Sequence, residues 1–162
     1  GVGKTTLAEA VFNKIHRHFE GSYFALNVRE EFEQRGGLNS LRQKLHSAVL
    51  REKNVDIGTS IGGRRLGRRK LLIVFDDVTD FQQIEYLIGS LDCLGSQSRI
   101  IITTRDKQVL NNCGVDCIYE VKELIHKDAL ELFYRYGFKQ NHPTADYIKL
   151  SKRVLLYAGG LP

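Results

Sequence analysis

The sequence predicts an α/β fold built on a mostly parallel β-sheet. Helical patterns alternate with short apolar segments along residues 1–122, which is the order in which crossover helices join parallel strands. Residues 71–75 contain only apolar side chains, as in a central strand that is buried on both faces. From residue 123 to residue 162 only helical patterns occur, so we expect the start of a helical subdomain there.

The first half of the chain predicts two helices and a strand. Apolar residues recur on one helical face over residues 4–18 and 38–51, at Leu7, Ala8, Val11 and Ile15 and at Leu41, Leu45 and Val49. An apolar segment over residues 23–28 predicts the strand between them. Gly58, Gly62 and Gly63 indicate a loop or a frayed helix over residues 54–63.

In the second half of the chain, predicted strands and helices alternate up to residue 121, and only helices follow. After the strand at 71–75 we predict a helix over 81–91, a strand over 100–102, a short helix over 107–112 and a strand over 118–121. Helices over 126–138 and 147–157 follow with no strand between them. Leu130, Phe133 and Tyr136 form an apolar stripe on the first of these helices, which predicts a core contact.

The chain begins with the second half of a phosphate-binding loop, Gly1-Val2-Gly3-Lys4-Thr5-Thr6. The full pattern is G-x-x-x-x-G-K-[ST], in which backbone N–H groups surround the phosphates of a nucleotide. Gly3 allows close approach of the backbone, Lys4 supplies a charge for the β- and γ-phosphates, and the Thr5 hydroxyl suits Mg²⁺. A glycine-rich turn before a helix is the plain alternative.

Two acidic residues, Asp76 and Asp77, follow the apolar strand directly. Ligands of open α/β sheets bind at the carboxyl ends of the strands, so this is the arrangement of a Walker B motif. Asp76 is predicted to hold Mg²⁺ directly or through water, and Asp77 to orient or deprotonate the attacking water. A strand ending in a solvated acidic turn is the alternative.

The segment around residues 98–106 repeats this pattern, with an apolar strand followed by polar residues. Arg105 is therefore predicted to lie at the same edge of the sheet, where a guanidinium can distinguish a triphosphate from a diphosphate by contacting the γ-phosphate. Alternatively, Arg105 forms a structural ion pair with Asp106 or Asp76.

Composition narrows the class of protein. The 162-residue chain is 42% hydrophobic and 27% charged, as expected for one globular domain, and no apolar segment is long enough to cross a membrane. The three cysteines lack a metal-binding spacing and indicate reduced cytosolic thiols. The net charge of +5 includes a basic segment at residues 64–70, which we interpret as a helix end and turn rather than a nucleic-acid surface.

The ordered motifs, closing with Tyr119–Leu124 and Gly159-Gly160-Leu161-Pro162, resemble the NB-ARC domain of plant disease-resistance proteins over essentially the whole chain. Residues 27–31 and 103–107 are similar to the class that carries an N-terminal TIR domain, and the chain has no Trp, which the coiled-coil class usually places after Asp-Asp-Val. Thr79 departs from the Asp that is usual there in the TIR class.

The resemblance implies a P-loop NTPase three-layer fold, with a nucleotide-binding core at 1–122 and a helical ARC1-like subdomain from 123. It implies an ATP/ADP switch with Mg²⁺, in which hydrolysis is slow and regulatory. Asp76 and Thr5 would ligate the metal, Asp77 would be the hydrolytic acid, and Arg105 would sense the γ-phosphate. The nucleotide-binding residues would be Gly1, Val2, Gly3, Lys4, Thr5, Thr6, Gly160, Leu161 and Pro162.

The implied partners are TIR and leucine-rich-repeat domains of a longer cytoplasmic or nucleocytoplasmic receptor, other copies of the receptor on activation, and indirectly a pathogen effector or a guarded host protein. We expect no membrane and no nucleic-acid partner. Because the first loop glycine and the winged-helix subdomain are absent, we expect a partial gene product with weak or no nucleotide affinity and no activity of its own. The alternative function is a conventional P-loop ATPase or kinase whose output is catalysis.

Overall fold

The computed structural model of the protein describes residues 1–51, 66–137 and 145–162, and these form two compact units. The larger unit is Thr5–Ile118, and the smaller one contains Gly1–Lys4 with Tyr119–Pro162. The assignment of a nucleotide-binding core to residues 1–122 and a helical subdomain to 123–162 stays a prediction.

Most of the predicted elements are present in the predicted order. Over the first described range these are α1 (Lys4–Ile15, followed by a 3-10 turn at His16–His18), β1 (Gly21–Ala25), α2 (Val28–Glu33) and α3 (Gly37–Leu50). The later elements are β2 (Leu71–Val78), α4 (Phe81–Ile88), β3 (Arg99–Thr104), α5 (Lys107–Asn112), α6 (His126–Gly137) and α7 (Ala145–Ala158).

The described strands form one parallel sheet in the order β1-β2-β3. Tyr23 lies opposite Ile73, and Ile73 lies opposite Ile100, so the pairing is regular across all three strands at this position. With helices joining the strands, this confirms the predicted α/β class with a parallel sheet. The carboxyl ends of β2 and β3 lie at the same edge, and the acidic residues Asp76 and Asp77 lie near the end of β2.

The core of the larger unit is organised around β2. All of residues 71–75 are fully buried, as the uniformly apolar segment predicts. Helix α3 packs on β1 through its buried face, and α4 contributes Ile84 and Leu87, which are also fully buried. Burying one such side chain stabilises the fold by about 1.5–3 kcal/mol, so the strand that carries the acidic residues is rigidly held.

Two boundaries differ from the prediction near the site. Strand β1 ends at Ala25 because Asn27 adopts a left-handed conformation (φ 51°), and Val28 then begins the short helix α2, which the sequence did not predict. Strand β2 continues beyond Phe75 through both acidic residues to Val78. The pairing of β2 with β3 is irregular between Phe75 and Val78, so the acidic pair lies where the ladder is interrupted.

Three further predictions concern the strand at residues 118–121, the end of helix α4 and the loop at residues 54–63. Residues 118–121 do not form a strand, because no described strand pairs with them, and Tyr119 is 77% exposed. Helix α4 ends three residues early because Gly89 takes a positive φ (77°). The loop predicted over residues 54–63 lies outside the described residues.

The smaller unit contains α6 and α7, which pack on each other. Ala129 and Leu155 are buried, whereas Tyr136 is 82% exposed, so the prediction of a core role is wrong for that residue of the stripe. Among the described helices of the whole chain, none has the length and apolarity needed to cross a membrane.

A buried histidine, His46 of α3, gives the larger unit a pH-dependent contact. Its Nε2 donates to the carbonyl oxygen of Leu87 at 2.9 Å, which leaves Nδ1 unprotonated and without a hydrogen-bond partner among the described residues. Burial lowers the pKa of His46; the Leu87 carbonyl opposes this shift, and the nearby positive charge of Arg42 adds to it. Protonation therefore places an uncompensated charge in the contact between α3 and α4.

We expect the free energy of unfolding to fall as the pH drops below about 6.5, the pKa of an unperturbed histidine, because the unfolded chain then binds a proton that folded His46 resists. Above that pH the stabilisation is fully present. His46→Gln keeps an N–H donor for Leu87 and should flatten the slope between pH 7 and pH 5 in urea titrations, whereas His18→Gln, at an exposed site, should leave it in place. Equal slopes in wild type and His46→Gln would contradict the assignment.

Candidate functional site

The predicted metal ligands Thr5 and Asp76 are in direct contact. Thr5, in the first turn of α1, donates from Oγ1 to Oδ1 of Asp76 at 2.9 Å. The hydroxyl of Thr103, at the end of β3, donates to the same oxygen at 2.6 Å. The structure therefore joins the phosphate-binding loop, the Walker B strand and the third motif at one carboxylate.

The other oxygen of Asp76 is suited to a cation. The residue is completely buried, and Oδ2 has no hydrogen-bond partner in the part of the chain that the structure describes. A buried carboxylate oxygen without a partner is costly, and such an atom in a native fold calls for an ion or a water. Mg²⁺ prefers hard oxygen ligands and keeps several sites for water and phosphate, so one carboxylate and the neighbouring Thr5 hydroxyl fit it.

Asp77 has an unusual backbone. Its φ is +53°, in the left-handed region that non-glycine residues rarely adopt, and its N–H donates to Oγ1 of Thr103 at 2.9 Å. Thr103 thus accepts from the backbone of Asp77 and donates to the side chain of Asp76. Backbone strain of this kind costs about 1–3 kcal/mol and is concentrated at functional sites. The strained residue here is the predicted hydrolytic acid.

Two arginines hold the carboxylate of Asp77. Arg29, in the first turn of α2, places Nη2 3.0 Å from Oδ2, and Arg105 places Nε 3.5 Å from Oδ1. The described ion pairs of Arg105 therefore involve neither Asp106 nor Asp76, the partners considered from the sequence. With 72% of its side chain exposed, Arg105 has a weak pairing and is free to turn toward another anion.

The sequence motifs did not assign a role to Thr103 or to Arg29. Both lie where a strand ends, Thr103 on β3 and Arg29 four residues beyond the end of β1. In a parallel sheet these ends meet beside the end of β2, so polar residues at strand ends were the available signal.

The smaller unit holds Gly1–Lys4 and the closing Gly-Leu-Pro segment. A Cβ on Gly3 (φ +87°) would lie 3.6 Å from Cγ of Pro162, so the glycine of the phosphate-binding loop and the closing Gly-Leu-Pro segment lie together. Gly160 (φ +84°) accepts from the N–H of Leu124 at 2.9 Å, and a Cβ there would lie 2.6 Å from the Leu124 oxygen. Leu161 is 44% exposed. Gly160 is thus fixed by its backbone conformation and by close approach to Leu124.

The first residues of the chain are open to solvent to different degrees. Gly1 is exposed, Val2 and Lys4 are partly buried, and Thr6 is exposed on α1. A Cβ on Gly1 would meet no described atom within 4 Å, whereas Gly3 adopts a left-handed conformation (φ +87°) that favours glycine. The roles of these residues at a phosphate stay predictions.

Part of the basic segment at residues 64–70 makes contacts within the fold. Arg69 donates to the Val49 carbonyl oxygen at 3.4 Å, and the ammonium of Lys70 lies 5.2 Å from the centre of the Phe19 ring. Residues 64 and 65 lie outside the described ranges. Two of the basic side chains thus contact the protein itself.

Comparison with known proteins agrees with the geometry. The sequence pattern of the NB-ARC domain matches residues 1–143. The chain belongs to the NB-ARC family. Since NB-ARC is a nucleotide-binding domain, the cluster at the end of β2 in this NB-ARC chain lies where nucleotide chemistry is expected.

Several disease-resistance proteins align with all of this NB-ARC chain. Disease resistance protein RUN1 of Vitis rotundifolia is 42% identical over 168 residues, and the alignment covers 100% of this chain and 12% of that protein. Two further relatives are each 40% identical, and both alignments cover all of this chain. They are TMV resistance protein N of Nicotiana glutinosa, of which the alignment covers 15%, and disease resistance-like protein DSC1 of Arabidopsis thaliana, of which it covers 14%. The chain thus spans only a small part of the length of these relatives.

Proposed function

We propose that this NB-ARC chain is the ATP- and ADP-binding switch segment of a cytoplasmic or nucleocytoplasmic plant immune receptor. One observation carries the proposal: the buried Oδ2 of Asp76 has no partner among the described residues, and the other oxygen of the same carboxylate, Oδ1, accepts from the Thr5 hydroxyl at 2.9 Å. A carboxylate and a hydroxyl are oxygen donors that fit the Mg²⁺ of a nucleotide complex. Family membership and the relatives named as disease-resistance proteins support the receptor assignment.

The chemistry is divided among a few side chains. Asp76 and Thr5 would hold Mg²⁺, which supplies charge neutralisation of the phosphates when bound. The backbone of residues 1–6 and the ammonium of Lys4 would hold the phosphates. Asp77 would orient the attacking water, Arg105 would contact the γ-phosphate, and Gly160, Leu161 and Pro162 would lie beside the adenine. The approach of Gly3 to Pro162 supports a place for this closing segment near the phosphate-binding loop.

In this proposal the nucleotide sets the state of a longer protein, and hydrolysis is slow. The other domains would be a TIR domain and leucine-rich repeats. The receptor would self-associate on activation, and it would respond indirectly to a pathogen effector or a guarded host protein. The loose pairing of Arg105 with Asp77 supports a switch, because an exposed ion pair worth at most about 1 kcal/mol is easily exchanged for a phosphate contact.

Replacing the loop lysine tests nucleotide binding directly. In the full-length protein that carries this chain, we expect Lys4→Ala to abolish co-purification of ADP, because the side chain is the point charge of the phosphate-binding loop. Bound nucleotide is measured by chromatography of the denatured protein. Lys14→Ala removes the same charge from the last turn of α1 and should retain ADP. Stoichiometric ADP in Lys4→Ala would refute the proposed loop.

Turnover separates the switch from a conventional P-loop ATPase or kinase. A switch should hydrolyse less than about one ATP per minute, far below the roughly 10 per second of a typical enzyme. Steady turnover at the enzymatic rate, measured by phosphate release, would favour the catalytic alternative.

A further inference from the structure

The two oxygens of the Asp77 carboxylate have different partners. Oδ2 faces Nη2 of Arg29 at 3.0 Å, and Oδ1 faces Nε of Arg105 at 3.5 Å. The carboxylate side chain itself is only 17% exposed. The ion pair at Oδ1 can therefore break while the ion pair at Oδ2 stays in place.

The two arginines are not held equally. The Arg29 side chain is 37% exposed and that of Arg105 is 72% exposed. Arg29 follows Val28, which is fully buried, and α2 packs on β2, whereas Arg105 lies in the turn after β3. The shorter and less exposed pair has the stronger interaction, because solvent screens it less and fewer rotamers are lost on forming it. Arg29 is thus the firmer partner of Asp77.

We propose that Arg29 is a positioning residue for Asp77, holding Oδ2 while Oδ1 becomes free to act. The inference rests on the proposed function, in which Arg105 turns to the γ-phosphate. When it does, Oδ1 loses its partner and can accept a proton from the attacking water. The water oxygen then bonds to the γ-phosphorus, the bond to the ADP oxygen breaks, and the proton passes to Oδ1.

Arg29 would matter most at this step. A carboxylate with one oxygen held by a guanidinium keeps its rotation about the Cβ–Cγ bond fixed, and the other oxygen keeps its direction. Without Arg29, departure of Arg105 would leave both oxygens of Asp77 without the partners described here. The left-handed backbone of Asp77 and its N–H bond to Thr103 would then fix the main chain but not the carboxylate.

The test is single-turnover hydrolysis at saturating ATP, together with the Kd for ATP, in the full-length protein that carries this chain. We expect Arg29→Ala to slow hydrolysis about tenfold, as modest misplacement of a catalytic group does, with the Kd changed by less than about twofold. Arg29→Lys keeps the charge and should recover part of the rate. Arg35→Ala, two residues beyond α2 and exposed, removes a matched charge and should leave both quantities unchanged.

A double-mutant cycle that combines Arg29→Ala with Asp77→Asn distinguishes a positioning role of Arg29 from a general effect on the fold. If Arg29 acts through Asp77, Arg29→Ala should have no further effect on hydrolysis in the Asp77→Asn background. An unchanged or faster rate in Arg29→Ala, or a full tenfold loss in both backgrounds, overturns the inference while ATP binding still supports the proposed function. A wild-type protein that binds no ATP, or an Asp77→Asn variant as fast as wild type, overturns the proposed function and this inference with it.

Discussion

Asp76→Asn is expected to remove the effect of Mg²⁺ on nucleotide binding without lowering the thermal stability of the nucleotide-free protein. The amide oxygen of Asn can still accept from the hydroxyls of Thr5 and Thr103, which now donate to Oδ1. The amide nitrogen would take the place of Oδ2, the buried atom without a described partner. Burying an amide costs less than burying a carboxylate, so the fold should lose nothing.

Loss of the anionic oxygen of Asp76 should weaken Mg²⁺ binding strongly. Replacing a residue that only supports a metal ligand typically weakens a site by about 10–100-fold, and Asp76 is the proposed ligand itself. We therefore expect the Mg²⁺-dependent gain in ATP affinity, measured by calorimetry with and without chelator in the full-length protein, to disappear. The stability arm uses thermal melting of the 162-residue chain.

Asp116→Asn is the matched control, because Asp116 is exposed and the change removes the same charge. It should leave Mg²⁺ dependence and melting temperature as they are. If Asp76→Asn melts well below wild type and still binds Mg²⁺-ATP normally, then Asp76 has a structural role and the metal assignment fails. Loss of Mg²⁺-dependent binding without loss of stability is what a buried, uncompensated functional charge predicts.

The parts of the fold that follow from local pattern were predictable. Helix α5 has the predicted bounds, Lys107–Asn112, because Asp106 supplies an N-cap whose side chain accepts from the N–H of Gln108 at 2.8 Å. Strand β2 was predicted because an uninterrupted apolar segment has few alternatives to a buried strand. Both signals lie within a few residues of the element that they specify.

The site was predictable only in its motif residues. Asp76 and Asp77 lie in the last part of β2 and Arg105 directly follows β3, and the structure brings these strand ends together. Arg29 meets Asp77 across 48 residues of chain (77 − 29), and that contact depends on helix α2, which begins at the left-handed Asn27. Sequence patterns report local periodicity, whereas such a pair depends on sheet order and on a six-residue helix too short to show any periodicity.

Close backbone approach is likewise invisible in the sequence, and Gly21 is one example. It is buried at the start of β1, opposite Leu71, and a Cβ there would lie 2.3 Å from the carbonyl oxygen of Val49 in α3. It would also lie 2.9 Å from the Val49 Cα and 3.0 Å from Cδ2 of Leu71. The nearest obstacles are backbone atoms, which cannot turn away as a flexible side chain can.

We therefore expect Gly21→Ala to destabilise the larger unit by about 3 kcal/mol, the upper part of the range for overpacking, since α3 must move away from β1. In a domain of this size such a change lowers Tm by roughly 6–12 °C. Calorimetry or far-UV circular dichroism of the 162-residue chain measures it.

Gly137→Ala is a control with the opposite expected sign. Gly137 ends α6, and among the described atoms the nearest to its Cβ would be those of the Phe133 ring, at ordinary distances of 3.7–3.8 Å. Alanine there restricts the unfolded chain and should leave stability unchanged or raise it by up to about 1 kcal/mol. If Gly21→Ala melts like Gly137→Ala, the packing of α3 on β1 is looser than the 2.3 Å approach implies. A selective loss at Gly21 instead shows that this glycine sets how closely the helix can cover the sheet that carries the acidic pair.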